Sequence, residues 1–179
     1  MTLDLEVLEA VFTNEGNDLR TTTEENVVML VFLRHFGCVF CREALDDFSQ
    51  IKEELKRLNI KLIFVHMAEE SYGDQYFKEY SLEAEEHISD PDMTLYEYFG
   101  LQKGTFRELY GLKVWSRAIN LKFGMDTKKP LGNMKQMPGV FLLKSGKIIN
   151  SFTHKSASEK PDYLEIAKLT CSNSPKSNS

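Results

Sequence analysis

The chain has 179 residues, 42% of them hydrophobic and 27% charged, and carries a net charge of −5. That length predicts one domain able to bury its own core, and the ordinary composition excludes fibrous and repeat architectures. The acidic balance argues against general nucleic-acid binding, and three cysteines are too few for a structural disulfide framework.

The N-terminal MTLDLEVLEAVF has no basic residue before Arg20 and no long apolar region, so no signal peptide is expected. The longest apolar stretch, residues 27–33, is too short to span a bilayer. A soluble cytoplasmic protein with neither a nucleic-acid nor a membrane partner is the expectation. Residues 1–25 are acidic and rich in turn formers (Gly16, Asn17, Thr21, Thr22, Thr23), with Leu19 in a short strand. The uninterrupted apolar run within 27–35 predicts a strand buried on both faces. Leu45, Phe48, Ile51, Leu55 and Leu58 recur at spacings of three and four, which predicts a helix over 42–58. Residues 60–67 read as a second buried strand, giving a βαβ unit with parallel strands and a right-handed crossover.

A helix over 70–82, a short strand at 87–89 and a helix over 94–99 ended by Gly100 follow. Asp90-Pro91-Asp92 is the turn between the last two. Thr105 and Glu108 fit a capping box that opens a helix through Leu109, Val114, Trp115, Ala118 and Ile119. Residues 126–135 read as a loop, 140–143 and 148–152 as strands joined by a hairpin turn at 144–147, and 161–170 as a last helix. The polar tail 172–179 is expected to be disordered, leaving a domain over 1–171. This order looks like an α/β thioredoxin-like fold: a mixed central sheet, helices on both faces and a helical insertion between its halves.

The chemistry points to Cys38-Val39-Phe40-Cys41, between a buried strand and a helix. Unpaired backbone N–H groups and the positive end of the dipole at a helix start favour a thiolate, which is the nucleophilic form of cysteine. Two intervening residues let the second sulfur attack the first once it is oxidised. Zinc needs two further ligands, and Cys171 and the four histidines form no paired motif; a c-type haem needs a histidine where Arg42 stands. No metal or cofactor is expected. Arg34 and Arg42 flank the pair, where a positive charge lowers a thiol pKa or holds a peroxidic oxygen, unless they are merely solvated. His35 either polarises the same site or simply packs. Cys171 reads as an incidental thiol, with a resolving role left open.

FLRHFGCVFCRE, SDPDMTLYEYFGL, MPGVFLLKSGKI and HKSASEKPDYLEI resemble the peroxiredoxin-like branch of the thioredoxin superfamily, the AhpC/TSA-type group that includes selenoprotein L-related redox proteins. The resemblance implies a thiol-dependent antioxidant oxidoreductase in which Cys38 and Cys41 reduce peroxide or a related oxidised substrate. An external thioredoxin- or glutathione-like thiol would reopen the resulting disulfide. The thioredoxin pattern makes Cys38 the attacking, more exposed thiolate and Cys41 its resolving partner. Aligning the peroxidatic cysteine of peroxiredoxins on Cys41 reverses the roles, with Arg34 at that motif's proline position and Cys38 at its threonine position. Pro138 falls where the thioredoxin fold places a cis-proline facing the cysteines. Two other readings remain: a protein thiol–disulfide oxidoreductase, and a thioredoxin-fold binding module without turnover.

Overall fold

The apolar run becomes β1 (Val27–Phe32), the central strand of a five-stranded sheet ordered β3-β2-β1-β4-β5 in the computed structural model, which describes residues 1–121 and 132–168. On one side β2 (Ile60–His66) runs parallel to β1, with Val27 opposite Ile60, and β3 (Glu86–Ser89) continues parallel to β2. On the other side β4 (Gly139–Lys144) is antiparallel to β1 and β5 (Lys147–Thr153) is antiparallel to β4. Ser145 and Gly146 close that hairpin with both φ angles positive, the geometry of a type I′ turn.

Side chains alternate across a strand, so β1 feeds two cores. Met29 and Val31 pack with α3 (Val39–Arg57), α4 (Glu70–Lys78) and α8 (Tyr163–Lys168), through residues such as Leu45, Phe48, Phe77 and Ile166. Val28, Leu30 and Phe32 pack on the other face against α1 (Leu5–Glu9), α2 (Leu19–Glu25) and α5 (Thr94–Tyr98), through Leu8, Leu19, Leu95 and Tyr96. The insertion forms α6 (Phe106–Tyr110) and α7 (Leu112–Ile119), seated on a small cluster of Leu109, Met137 and Ala157.

Several expectations change. Leu19 opens a helix and not a strand, because Asp18 caps it by accepting the Thr21 N–H at 2.8 Å. β1 ends at Phe32, and α3 begins at Val39 instead of residue 42, which places Cys41 in its first turn. The single helix expected after Thr105 is broken at Gly111, where a Cβ would lie 2.4 Å from the Arg107 carbonyl oxygen. Among the described residues no peptide bond is cis, so the Met137–Pro138 bond is trans. Cys171, residues 126–131 of the expected loop, the end of the last expected helix and the tail lie outside the described residues. No helix among the described residues is long and apolar enough to cross a membrane.

Both sheet edges meet other chain. Thr2 bridges Lys147, and Ile148 N–H donates to the Met1 carbonyl at 2.9 Å. On the opposite edge Asn14 takes both backbone groups of His87: its N–H donates to the His87 carbonyl, and its side-chain oxygen accepts the His87 N–H, each at 2.9 Å. Inside, Asp90 starts α5 by accepting the N–H groups of Thr94 and Leu95 at 3.0 and 2.8 Å. The fully buried Tyr96 then sets its hydroxyl 2.6 Å from the Leu33 carbonyl and 3.0 Å from that of Val65, at the C-terminal ends of β1 and β2.

At the same end, buried His66 and His87 share a hydrogen bond of 3.0 Å between Nε2 and Nδ1, and His87 Nε2 lies 2.9 Å from Asp74. Gly73 makes this possible, since a Cβ there would stand 2.5 Å from His66 Nε2. Burial, and then the neighbouring His87, push His66 down to about 3. Below the ordinary histidine range the unfolded chain therefore binds a proton that the native protein refuses, so stability falls as pH falls, until pH reaches about 3. His35 and His154, also lowered by burial, act in the same direction. Urea unfolding at stepped pH is expected to show stability dropping by up to about 1.4 kcal/mol per pH unit for His66 below pH ~6, and His66→Leu is expected to flatten that slope.

Candidate active site

The site is assembled where β1 gives way to α3. After Leu33, residues 34–37 turn sharply, and Cys38 occupies the N-cap of α3 with an extended backbone. Its N–H donates to the His35 carbonyl at 2.9 Å, which closes the turn. Phe36 pins the loop from below. Its carbonyl accepts the Tyr76 hydroxyl, and its ring packs against Tyr76 and His66 at 4.1 and 5.1 Å.

Arg34 joins both sulfurs. Its backbone N–H donates to Cys41 Sγ at 3.2 Å, and its guanidinium Nη1 donates to Cys38 Sγ at 3.4 Å. Nη2 donates to the Met134 carbonyl, and the guanidinium carbon lies 5.9 Å from the Tyr110 ring centre. Arg34 Nε and His35 Nδ1 are buried without a hydrogen-bond partner among the described residues. Cys38 and Cys41 are both free thiols, 5% and 4% exposed, so the expected difference in exposure between them is absent.

What separates the two thiols is electrostatics. The Cys41 thiol donating to it holds Cys38 well below the usual cysteine range, and the charges of Arg34 and His35 add to this against the cost of burial. Cys41 is driven well above that range by the same hydrogen bond, by burial and by the negative charge on Cys38. Burial opposes the charge on Arg34, yet the adjacent sulfurs raise its pKa overall. Around Arg34 the two thiols are thus displaced in opposite directions, Cys38 toward the ionised form and Cys41 away from it.

Two openings reach Cys38. A cleft of about 30 Å³ is lined by Arg34, both cysteines, Pro138, His154 and Tyr163. Beyond Cys38 an apolar groove of about 270 Å³ runs between Arg34, Phe40, Tyr110, Val114, Trp115 and Met134. The smaller space suits a group of one or two oxygen atoms, the larger an organic body. Of the predicted site residues, Arg34 and Pro138 thus stand with the cysteines. Arg42 is turned to the hydroxyl of Tyr80, 3.1 Å from its Nε. Among the described residues no group of three or more His, Cys, Asp or Glu side chains is placed to hold a metal.

The sequence reading missed Met134, His154, Tyr163 and the clamp that holds the insertion. Arg117 bonds both carboxylate oxygens of Glu43, at 2.8 and 2.7 Å, and lies over the Phe40 ring at 5.2 Å. The basic side chain on an insertion helix was a signal, but its acidic partner lies 74 residues away.

Comparison with known proteins agrees with the fold. Peroxiredoxin Q of Xanthomonas campestris superposes with a TM-score of 0.63 at 16% identity, covering 95% of this chain and 93% of that one. A yeast mitochondrial 1-Cys peroxiredoxin gives 0.62 at 12% identity over 90% and 70%. In sequence the chain is similar to the prostamide/prostaglandin F synthase of Bos taurus, 30% identical and covering 91% of this chain and 82% of the relative. It is also similar to the synthase of Sus scrofa, 25% identical over 92% and 84%. Residues 47–157 match the family model described as AhpC/TSA antioxidant enzyme, a match that begins just after the cysteine pair. This chain belongs to the AhpC/TSA antioxidant enzyme family.

Proposed function

We propose that the protein is a thiol-dependent reductase of organic peroxides, with Cys38 as the attacking thiolate and Cys41 as the proton donor and resolving thiol. The observation that carries this reading is buried Arg34 donating to both sulfurs, from its guanidinium to Cys38 at 3.4 Å and from its backbone N–H to Cys41 at 3.2 Å, with the Cys38 thiol pushed down and the Cys41 thiol pushed up. Cys38 Sγ attacks one oxygen of a hydroperoxide and the O–O bond breaks. Sulfur is oxidised to a sulfenic acid, and the departing alkoxide takes the Cys41 proton to leave as an alcohol. The Cys41 thiolate so formed attacks the sulfenic sulfur, expelling hydroxide, and the Cys38–Cys41 disulfide closes. The unpartnered Nε of buried Arg34 is a donor for the oxygen on which charge develops. A thioredoxin- or glutathione-like thiol then restores the dithiol. The yeast mitochondrial 1-Cys peroxiredoxin has its own thiol resolved via the glutathione and thioredoxin systems. A reducing compartment such as the cytoplasm fits this cycle.

Burial of both sulfurs favours a peroxide over a protein disulfide, since an extended polypeptide needs a more exposed sulfur than 4–5% allows. The synthases of prostamide and prostaglandin F are named for organic products, and the apolar groove beside Cys38 fits an organic substrate. Intact mass before and after one equivalent of an alkyl hydroperoxide is expected to show loss of two hydrogens, confined to the peptide bearing Cys38 and Cys41. Cys38→Ser should abolish peroxide consumption, while Cys41→Ser should stop the cycle at a sulfenic acid that a trapping reagent captures. Unchanged turnover in both variants overturns the reading.

The direction of the Cys38 shift gives a second test. Alkylation of the reduced protein by iodoacetamide is expected to titrate well below the ~8.5 of free cysteine. Arg34→Met should raise that midpoint by about one to three pH units and slow peroxide reduction at neutral pH.

A further inference from the structure

The helical insertion presents its apolar residues outward. On α7, Val114 is buried and Ala118 is half-buried, whereas Leu112 is 91% exposed, Ile119 75% and Trp115 51%. At 100° per residue these three share the face turned from the protein. Phe106 on α6, 79% exposed, adds a second large ring from the same insertion. A surface helix ordinarily does the reverse. The charge around this face is one-sided. Residues 103–121 contain Lys103, Arg107, Lys113 and Arg117 against Glu108 alone. Arg117 is held by Glu43, and Glu108 is folded back onto Thr105. Lys103, Arg107 and Lys113 are exposed beside the apolar side chains.

We propose that the α6–α7 face docks onto the surface of an anionic lipid bilayer, with Phe106, Leu112, Trp115 and Ile119 entering the interface and Lys103, Arg107 and Lys113 against the headgroups. Three features favour a bilayer over a protein partner. The apolar side chains stand out at up to 91% exposure, as the groups that enter a bilayer interface do. The set combines a tryptophan, a phenylalanine and long aliphatics with a cationic rim, the composition of an interfacial helix. The rim is locally basic in a chain whose net charge is −5, so this face meets an anionic surface with the opposite sign to the chain as a whole. The expectation that no membrane partner exists came from the lack of a spanning stretch, which surface docking does not require. Trp115 also lines the groove leading to Cys38, so docking turns that groove toward the lipid.

Trp115 is the single tryptophan of the chain, and its emission reports directly on this face. The full-length protein is mixed with vesicles of phosphatidylcholine alone or of phosphatidylcholine with phosphatidylserine. Expected are cosedimentation and a blue-shifted Trp115 emission with the anionic vesicles, both weakened by added salt. The double variant Leu112→Glu with Ile119→Gln should lower binding at least about tenfold, and Arg107→Glu with Lys113→Glu should abolish the preference for phosphatidylserine. All four positions are exposed in the described structure, and an unchanged circular dichroism spectrum confirms folding. The Cys38→Ser protein should bind like the wild type, because docking does not depend on the thiol chemistry. Unshifted emission and no cosedimentation with either vesicle overturn the proposal. So does vesicle binding that survives the double substitution, and so does a dimer dissolved by Leu112→Glu without vesicle binding, which would assign the face to a second copy of the chain.

Discussion

Arg34 is buried, 5% exposed as a residue, and a guanidinium in such a place needs an electron-rich partner close by, which the structure supplies at the Cys38 sulfur. Withdrawing such an ion from water costs on the order of several kcal/mol even after relaxation. Here that cost is offset by the Cys38 sulfur, a carbonyl and an aromatic face. The dependence runs both ways: the buried guanidinium lowers the Cys38 thiol pKa, and the adjacent sulfurs raise that of the arginine. Either one alone in the same place would neutralise or expel itself.

The surrounding structure holds that pair in register. Tyr96 joins the end of β1, from which the loop departs, to the end of β2, Phe36 is anchored by Tyr76 and His66, and Cys38 is fixed by its own turn to His35. Each contact joins a different element to the same few residues, so the position of the sulfurs averages over both faces of the sheet. The insertion joins this arrangement through Met134, whose carbonyl meets Arg34, and through the Arg117–Glu43 pair that ties α7 to α3.

Much of this was legible in the sequence because the signals were local. The uninterrupted apolar run gave the central strand, the three-and-four spacing gave α3, and Lys144 to Lys147 gave the hairpin. The cysteines and Arg34 were recognisable because the chain itself brings them together within eight residues. Where reading failed, the deciding contact was distant or the cue ambiguous. Leu19 sits in a threonine-rich stretch with strand-like composition, yet one capping aspartate and burial against β1 make it helical. Arg42 looked equivalent to Arg34, but a helix turns successive residues by 100°, and that rotation carries its side chain to Tyr80. The role of Met134 had no signal, since its backbone carbonyl reaches Arg34 from 100 residues away.

The covered sheet edges constrain how this chain associates with anything. An unpaired strand edge is a template for another polypeptide, and native proteins block such edges in recognisable ways. Asn14 occupies the outward groups of His87 on a strand only four residues long. At the other edge Met1 takes Ile148, the Asn150 side chain covers the Ser151 N–H, and a register irregularity opposite Leu142 and Leu143 bends the ladder. Strand addition, whether as recognition of an extended peptide or as edge-to-edge aggregation, is therefore impeded on both flanks. Trimming the first residues would reopen one flank without touching the thiols, turning a chain with blocked edges into one prone to self-pairing.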